Sequence, residues 1–492
     1  MLGVEEVLKE VLVKVTPRRE EYEKVWSLIT RLCDKLKGVA EEHSLKIDVE
    51  VEGSVAKDTW LAGNRDIDIF MLFPKSLPED FIRKYGLLIA REAVKRVGGS
   101  YYETYAYHPY IKGLIEGYEV DIVPAYRVEP HEVLTPVDRT PYHTRYVISK
   151  LTQDMKNDVR LLKQFMKGIG VYGAEIKVGG FSGYLCELLV IHYGSFLNVL
   201  RNAMEWRPWR TVIDIEGYYS QQELRRLRKV FGNSPLVIID PVDKTRNAAA
   251  AVSLQRLCEF KAAARMFLEN PSIEFFFPPP PKLLKPEDYE RLRLRRGSTF
   301  LVIEIPCPKL PPDILWGEVY RSLRGLRRLL EKYEFSVLSQ LAWSDEKSVV
   351  LFFYEVHSDK LPVVEKHVGP PIGAGEREES FLRKYLIENA EEVFAGPFIE
   401  GGSWIVFKRR KISDLKTLLS ERSLEAKHGT HIREIFAKKQ HRVYVNEEVE
   451  EILRRHERDD FNVRLSQLLS GTYSWLKVAC EEVVNEEKHV GN

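Results

Sequence analysis

Apolar residues return every three or four positions between residues 4 and 42, first as Val7, Val11 and Val13, then as Val25, Leu28, Leu32 and Leu36. This spacing predicts amphipathic helices, and Pro17 separates two of them. Over residues 46–52 the period drops to two, with Ile47, Val49 and Val51 on one face, so a strand is expected there, ended by Gly53-Ser54. A short helical stretch leads to Asn64-Arg65 and a second strand over residues 66–73. After a proline-bounded turn (Pro74 to Pro78), the pattern predicts a helix over 81–97 and strands over 101–107, 110–115 and 119–123. The result is an α+β head that closes near residue 147.

Residues 154–268 read as mainly helical, with Val159, Leu162, Phe165 and Met166 and later Leu185, Leu188, Leu189 and His192 at helical spacing. Phe275-Phe276-Phe277 followed by Pro278-Pro279-Pro280-Pro281 reads as a stiff linker and a domain boundary. Beyond it a strand over 299–305, a helix over 315–333 and a hairpin of 335–343 with 349–356 give a β-α-β-β order. Ferredoxin-like and RNA-recognition domains share that order. A glycine-rich loop from Gly369 to Gly375 leads to a helix over 380–390. The remaining chain is mixed at first, then helical and charged. The expected division is a head over 1–147, a helical central domain over 148–275, an α+β body over 282–395 and a tail over 396–492.

With 492 residues the chain is too long for one ordinary core. Lys and Arg number 74 against 73 Asp and Glu, so any nucleic-acid partner must be met by local clusters rather than by overall charge. No apolar run approaches the about 20 residues that cross a bilayer. The acidic start, Val4-Glu5-Glu6, does not read as a signal peptide. Five scattered cysteines without a CxxC pair argue against a disulfide framework and a zinc site. A cytoplasmic protein without a membrane partner is expected.

The chemistry concentrates in Gly53-Ser54 and, eleven residues on, Asp66-Ile67-Asp68-Ile69. Residues two apart on a strand share a face, so Asp66 and Asp68 project together while the isoleucines face the core. Two such carboxylates repel unless a cation lies between them, and hard oxygen donors suit Mg²⁺. Asp121, between Val120 and Ile122 on a later strand, supplies a third acid. Three strand carboxylates are the usual protein part of a two-metal phosphoryl-transfer site. Gly53-Ser54 stands where a strand turns into a helix, a place where backbone amides meet phosphate oxygens, and Lys57 adds positive charge.

Taken together, Gly53-Ser-x-x-x-x-Thr59-Trp60-Leu61-x-Gly63, Asp66-Ile-Asp68-Ile-Phe, Glu119-Val-Asp121-Ile-Val-Pro and Val137-Asp-Arg-Thr-Pro-Tyr-His143 closely resemble the archaeal, class I CCA-adding enzyme family. So do Arg160-Leu-Leu-Lys163, Val171-Tyr172-Gly-Ala-Glu, Gly180-Phe-Ser-Gly-Tyr-Leu-Cys-Glu187 and Asp240-Pro-Val-Asp-x-x-Arg246-Asn247. The resemblance runs from about residue 45 to 255 and returns at Gly396-Pro-Phe-Ile-Glu and Trp404-x-x-Phe-Lys. It implies a polymerase β-like nucleotidyltransferase head and untemplated addition of CCA to tRNA 3′ ends. The partners it implies are tRNA, CTP and ATP, with a homodimer as the assembly. Asp66, Asp68 and Asp121 match the family's Mg²⁺ ligands. Gly53, Ser54, Lys57, His143, Lys163 and Tyr172 match its nucleotide-binding positions, with Arg246 and Asn247 lining the nucleotide and RNA-end pocket. Lys57 departs from the arginine common there, and lysine cannot form a bidentate fork with phosphate.

RNA contacts are expected beyond the head. Candidates are Arg291, Arg293, Arg295 and Arg296, the run Lys408-Arg409-Arg410-Lys411, and Arg321, Arg324, Arg327 and Arg328 along one helix. Poly(A)-adding and oligoadenylate-forming transferases carry the same acids, so the carboxylates alone do not separate them from a tRNA enzyme. The matches over 137–143 and 160–187 favour the latter. A binding protein on a decayed scaffold would have little reason to keep the acids together.

Overall fold

The computed structural model describes residues 3–105, 109–129, 135–280, 283–471, 473, 475 and 476. Helices α1 (Val4–Val15) and α2 (Arg19–Glu42) follow the predicted spacing. Val7, Val11 and Val15 line the buried side of α1, while Val13, counted in the stripe from sequence, is exposed. The Glu6 and Glu21 carboxylates accept from the Gly3 and Arg18 amides and close the two helix starts.

The head continues as β1 (Asp48–Glu52), α3 (Gly53–Ala56), β2 (Asp66–Pro74), α4 (Glu79–Arg96), β3 (Ser100–Tyr105), β4 (Pro109–Ile115) and β5 (Tyr118–Arg127). These strands form one sheet in the order β1-β2-β5-β4-β3, with β2 and β5 parallel and the other pairs antiparallel. Residues 106 and 107, expected in a strand, lie outside the described residues. Alternation along β2 decides the function of its two faces. Ile67, Ile69, Met71 and Phe73 join a core with Leu28, Leu32 and Ile89 from α2 and α4. Phe70 and Leu72 point the other way and pack with Ala125. Asp66 and Asp68 lie on that second face, nearer the strand's start.

The helical part contains α5 (Thr140–Lys150), α6 (Gln153–Gly168), α7 (Gly183–Tyr193), α8 (Phe196–Glu205), β6 (Val212–Asp214), α9 (Gln221–Val230), β7 (Val237–Ile239) and α10 (Leu254–Glu269). The short parallel pair β6–β7 has no counterpart in the sequence reading, because three residues are too few to show a period. The aromatic run before the prolines is core rather than linker. Phe275 and Phe276 are fully buried, and with Phe196, Phe260 and Phe267 they surround Phe165. Among the described residues no single helix is long and apolar enough to cross a membrane. The α7–α8 pair is sufficiently apolar only when combined, and it is bent by 91°.

Two compact units result. One runs to Pro280 and includes Trp475, which packs into its core. The other is Pro281–Gly471. The second unit holds α11 (Pro286–Arg296), β8 (Thr299–Pro306), α12 (Pro312–Lys332), β9 (Val337–Ser344), β10 (Val349–Val356), β11 (Val364–Pro371), α13 (Glu376–Arg383), β12 (Val393–Glu400) and β13 (Ser403–Arg409). It ends with α14 (Leu415–Arg422), α15 (Thr430–Ala437), β14 (Arg442–Val445), α16 (Val449–Arg455) and α17 (Asp460–Ser470). Its larger sheet has the order β14-β8-β10-β9, all antiparallel, which is the ferredoxin-like arrangement. An RNA-recognition domain keeps one sheet face open for stacking bases. Here α12 covers one face, and Tyr289, Phe461 and Leu465 cover the other, leaving Phe300 and Phe353 fully buried.

Residues 396–471, read from sequence as part of a tail, are woven into this unit through β12, β13, β14 and α14–α17. The Gly369–Gly375 loop is partly strand. Gly369 lies within β11, where a Cβ would sit 2.4 Å from the Phe381 ring.

Candidate active site

Register places the acids. Asp68 stands opposite Asp121 in the parallel β2–β5 pair and opposite Glu52 in the antiparallel β1–β2 pair. Partners in register share a face, so Glu52, Asp68 and Asp121 form a row, with Asp66 two residues along. Gly53 caps this row. Its φ is +69°, and a Cβ there would lie 1.9 Å from Asp68 Oδ2, so the position admits only glycine. Burial and the neighbouring Asp121 push the Asp68 carboxyl up to about 6. Burial also raises Asp121, against the pull of Lys112, whose Nζ lies 3.1 Å from Asp121 Oδ1 and 3.2 Å from Glu119 Oε2.

Glu52 Oε2 is buried without a hydrogen-bond partner, and burial pushes this carboxyl up to about 7. Crowded, poorly solvated carboxylate oxygens are the donor set a divalent cation satisfies. Among the described residues, however, no three acid, histidine or cysteine side chains are gathered into a closed metal-holding group. Asp66 is exposed at the start of β2, and Asp121 is turned toward Lys112.

Behind the acids lies a buried cationic network. The Glu187 carboxylate, on α7, receives Lys57 Nζ at 2.6 Å on Oε2, and Lys163 Nζ at 3.1 Å and Thr59 Oγ1 at 2.5 Å on Oε1. Lys163 also donates to Thr59 O and Thr59 Oγ1. Burial would raise the Glu187 carboxyl, but Lys163 and Lys57 outweigh it and hold it at about 2. The Tyr172 hydroxyl lies beside the network against Gly183, which has no side chain to keep it away. A Cβ there would come 2.9 Å from Tyr172 Oη. Arg160 fixes the 58–60 loop to α6 by donating to Trp60 O, Asp58 O and Asp58 Oδ1.

A third cluster surrounds Asp240, which is wholly buried. His143 Nε2 lies 3.1 Å from Asp240 Oδ2, Arg246 donates to the same oxygen at 2.5 Å, and Tyr184 Oη donates to Oδ1 at 3.0 Å. The His143 ring stacks on Tyr184 at 4.1 Å, and burial lowers its pKa. Asn247, expected in the pocket, is instead turned into the backbone. Its Oδ1 accepts from Ile238 N and Ala249 N, and its Nδ2 donates to Leu236 O.

With this geometry in view, three family matches cover most of the chain. Residues 32–143 match the nucleotidyltransferase domain, 157–277 the second domain of tRNA nucleotidyltransferase and 296–446 the C-terminal domain of CCA-adding enzyme. The CCA-adding enzyme of Methanothermobacter thermautotrophicus is 41% identical over 435 residues, covering 87% of this chain and 92% of that one. The chain belongs to the CCA-adding enzyme family. The CCA-adding enzyme of Methanocaldococcus jannaschii is similarly close, 40% identical over 78% of this chain and 85% of its own. Among solved structures, the Cid1 poly(U) polymerase is similar over 54% of this chain and 94% of its own, with 18% identity and a TM-score of 0.43.

In CCA-adding terms, the nucleotidyltransferase match contains the whole acid row, and the second-domain match contains Lys163, Glu187 and Asp240. The head therefore has the nucleotidyltransferase fold, whose members work with divalent metal ions. Sequence reasoning passed over Glu52 and Lys112, and it gave no site role to Tyr184, Glu187 and Asp240, which stand in the motifs that carry the resemblance. Glu187 did leave a trace, a charged residue amid Leu185, Cys186, Leu188 and Leu189 on an apolar helix. Of the basic clusters, Arg293, Arg296 and Arg410 are ion-paired with Glu290, Glu355 and Glu334, and Lys408 with Glu365. Arg321, Arg324 and Arg328 lie exposed along α12.

Proposed function

We propose that this member of the CCA-adding family builds and repairs the 3′-terminal CCA of tRNA from CTP and ATP, without a nucleic-acid template. The observation that carries the reading is the acid row capped by Gly53, with Lys57 four residues on from that glycine and His143 in the Asp240 cluster. Asp66, Asp68 and Asp121 would hold Mg²⁺, which supplies activation of the terminal hydroxyl and neutralises charge on the leaving pyrophosphate. The RNA 3′ oxygen forms a bond to the α-phosphorus as the α–β anhydride bond breaks, and pyrophosphate leaves.

Gly53 and Ser54 bring backbone amides to the triphosphate. Lys57, Lys163, His143 and Tyr172 supply the polar wall around it. Arg246, held by Asp240 at one guanidinium nitrogen and partly exposed, faces the base and the RNA end. Exposed Arg321, Arg324 and Arg328 meet tRNA phosphates. A backbone-reading contact of this kind serves an enzyme that accepts every tRNA. The assembly is a homodimer, and the compartment is the cytoplasm.

The test is incubation of the purified protein with Mg²⁺, CTP, ATP and tRNA transcripts ending at the discriminator base, at C and at CC. Each is expected to be extended to CCA and no further. A long homopolymer tail would move the assignment to another transferase of the same fold, and no incorporation would refute it.

A further inference from the structure

Asp240, just past the end of β7, is used up by its neighbours. Its Oδ1 accepts from Tyr184 Oη and Val242 N, both at 3.0 Å, and its Oδ2 from Arg246 at 2.5 Å and His143 Nε2 at 3.1 Å. An ionised carboxylate only accepts, so His143 donates through Nε2 and its Nδ1 stays outside this bond. The two groups on Oδ2 are not used up. Arg246 gives Asp240 one nitrogen, the rest of its guanidinium has no partner among the described residues, and its side chain is 38% exposed. His143 Nδ1 has no partner there either. Polar groups that serve only the fold are satisfied within it, whereas these two keep capacity for a ligand.

Three separate segments meet on this one carboxylate: α5 through His143, α7 through Tyr184 and the loop after β7 through Arg246. The loop is braced along its length. Asp240 N donates to Arg246 O, Arg246 N donates to Asp243 O, and Arg139 pairs with Asp243 at 2.6 Å. The Tyr184 ring has His143 stacked on it at 4.1 Å and Lys57 Nζ at 5.7 Å from its centroid. The cluster therefore adjoins the cation that follows Gly53.

A guanidinium held in place can sort bases. Cytosine N3 and adenine N1 accept hydrogen bonds, whereas uracil N3 and guanine N1 carry hydrogen. Arginine only donates, so it favours the first pair over the second. The preference requires a planar fork fixed relative to the base, because a fork free to turn finds other acceptors on uracil and guanine.

We propose that Asp240 is a positioning residue: it registers Arg246 against His143, so that the group facing the base and the group meeting the triphosphate act as one piece, and this registration sets the preference for CTP and ATP over UTP and GTP. The inference rests on the proposed reaction for the identity of the ligand.

The experiment uses the full chain as wild type, D240N, R246A, H143A and the doubles D240N/R246A and D240N/H143A, with thermal midpoints recorded for each. The ratio of kcat/KM for CTP over UTP is measured on tRNA ending at the discriminator base, and CTP affinity is measured by calorimetry without tRNA. In D240N an amide donor faces two donors, so the ratio and the affinity are each expected to fall by about tenfold, the scale of a misplaced charge-assisted hydrogen bond. D240N is expected to lower the ratio no further once Arg246 is alanine, and the affinity no further once His143 is alanine. If D240N does not fold, D240E is read the same way, since it keeps the charge and moves it by one methylene. A lowered thermal midpoint with an unchanged ratio would make Asp240 a residue of the fold alone and overturn the proposal. Losses in the doubles that equal the product of the single losses would overturn it too, as would a wild type without preference for CTP over UTP. Wild-type protein that binds CTP but leaves tRNA unextended would refute the reaction, and the calorimetric cycle of D240N with H143A then decides this inference alone.

Discussion

Replacing Gly53 by alanine would put a Cβ 1.9 Å from Asp68 Oδ2 in a backbone already at positive φ. We expect Gly53→Ala to lower kcat by about a hundredfold or more, the usual penalty for displacing a reacting group by an ångström. Single-turnover extension measures it, and activity within a few-fold of wild type would refute the close approach. Glu52 gives a stability prediction of definite sign. A carboxyl whose folded pKa, about 7, lies above its unfolded value binds more protons when folded. Its contribution therefore falls as pH rises from about 4 to about 7. Without divalent metal, Glu52→Gln should stabilise the protein at pH 8 by on the order of 2 kcal/mol and leave it unchanged near pH 4. Thermal unfolding at the two pH values checks this, and destabilisation at pH 8 would contradict it. At this scale Asp66 and Asp68 were legible because strand alternation alone puts their side chains on one face, whereas Asp121 joins them through the β2–β5 register. Glu187 was not, because its partner Lys57 is 130 residues away and no local pattern joins them.

At the scale of elements, β2 could be read because its hydrophobic and acidic positions alternate without a break. The run Phe275-Phe276 could not, since four following prolines look like a linker whatever the phenylalanines touch. Gly168 records the packing that sequence hides. A Cβ on it would lie 2.2 Å from Phe275 O. We expect Phe275→Ala to destabilise the first unit by about 3–5 kcal/mol, as for a filled core position. Denaturant unfolding measures it, and a loss below about 1 kcal/mol would be the behaviour of a solvated linker. Strand β11 was hidden by Gly369-Pro370-Pro371, residues that ordinarily punctuate loops. The β8-α12-β9-β10 order was visible, but not the burial of its second sheet face. That burial depends on α16 and α17, well over a hundred residues downstream of β8.

For the whole molecule, the resemblance covered the first unit and thinned over the second, where the boundary at 395/396 cuts through a unit that continues to Gly471. Strand β14 pairs with β8 from far along the chain, and such non-local pairing leaves no composition shift to read. The near-neutral balance of 74 basic against 73 acidic residues fits a protein whose RNA contact is local rather than global. The central claim is that the acid row carries the chemistry and not the RNA contact. Its most direct test is Asp121→Ala, assayed in parallel for extension of a tRNA ending in CC and for tRNA affinity. The account predicts that extension is lost while the tRNA Kd stays within about twofold, because a metal ligand and not a phosphate contact is removed. Retained extension, or an equal loss of extension and tRNA binding, would contradict it.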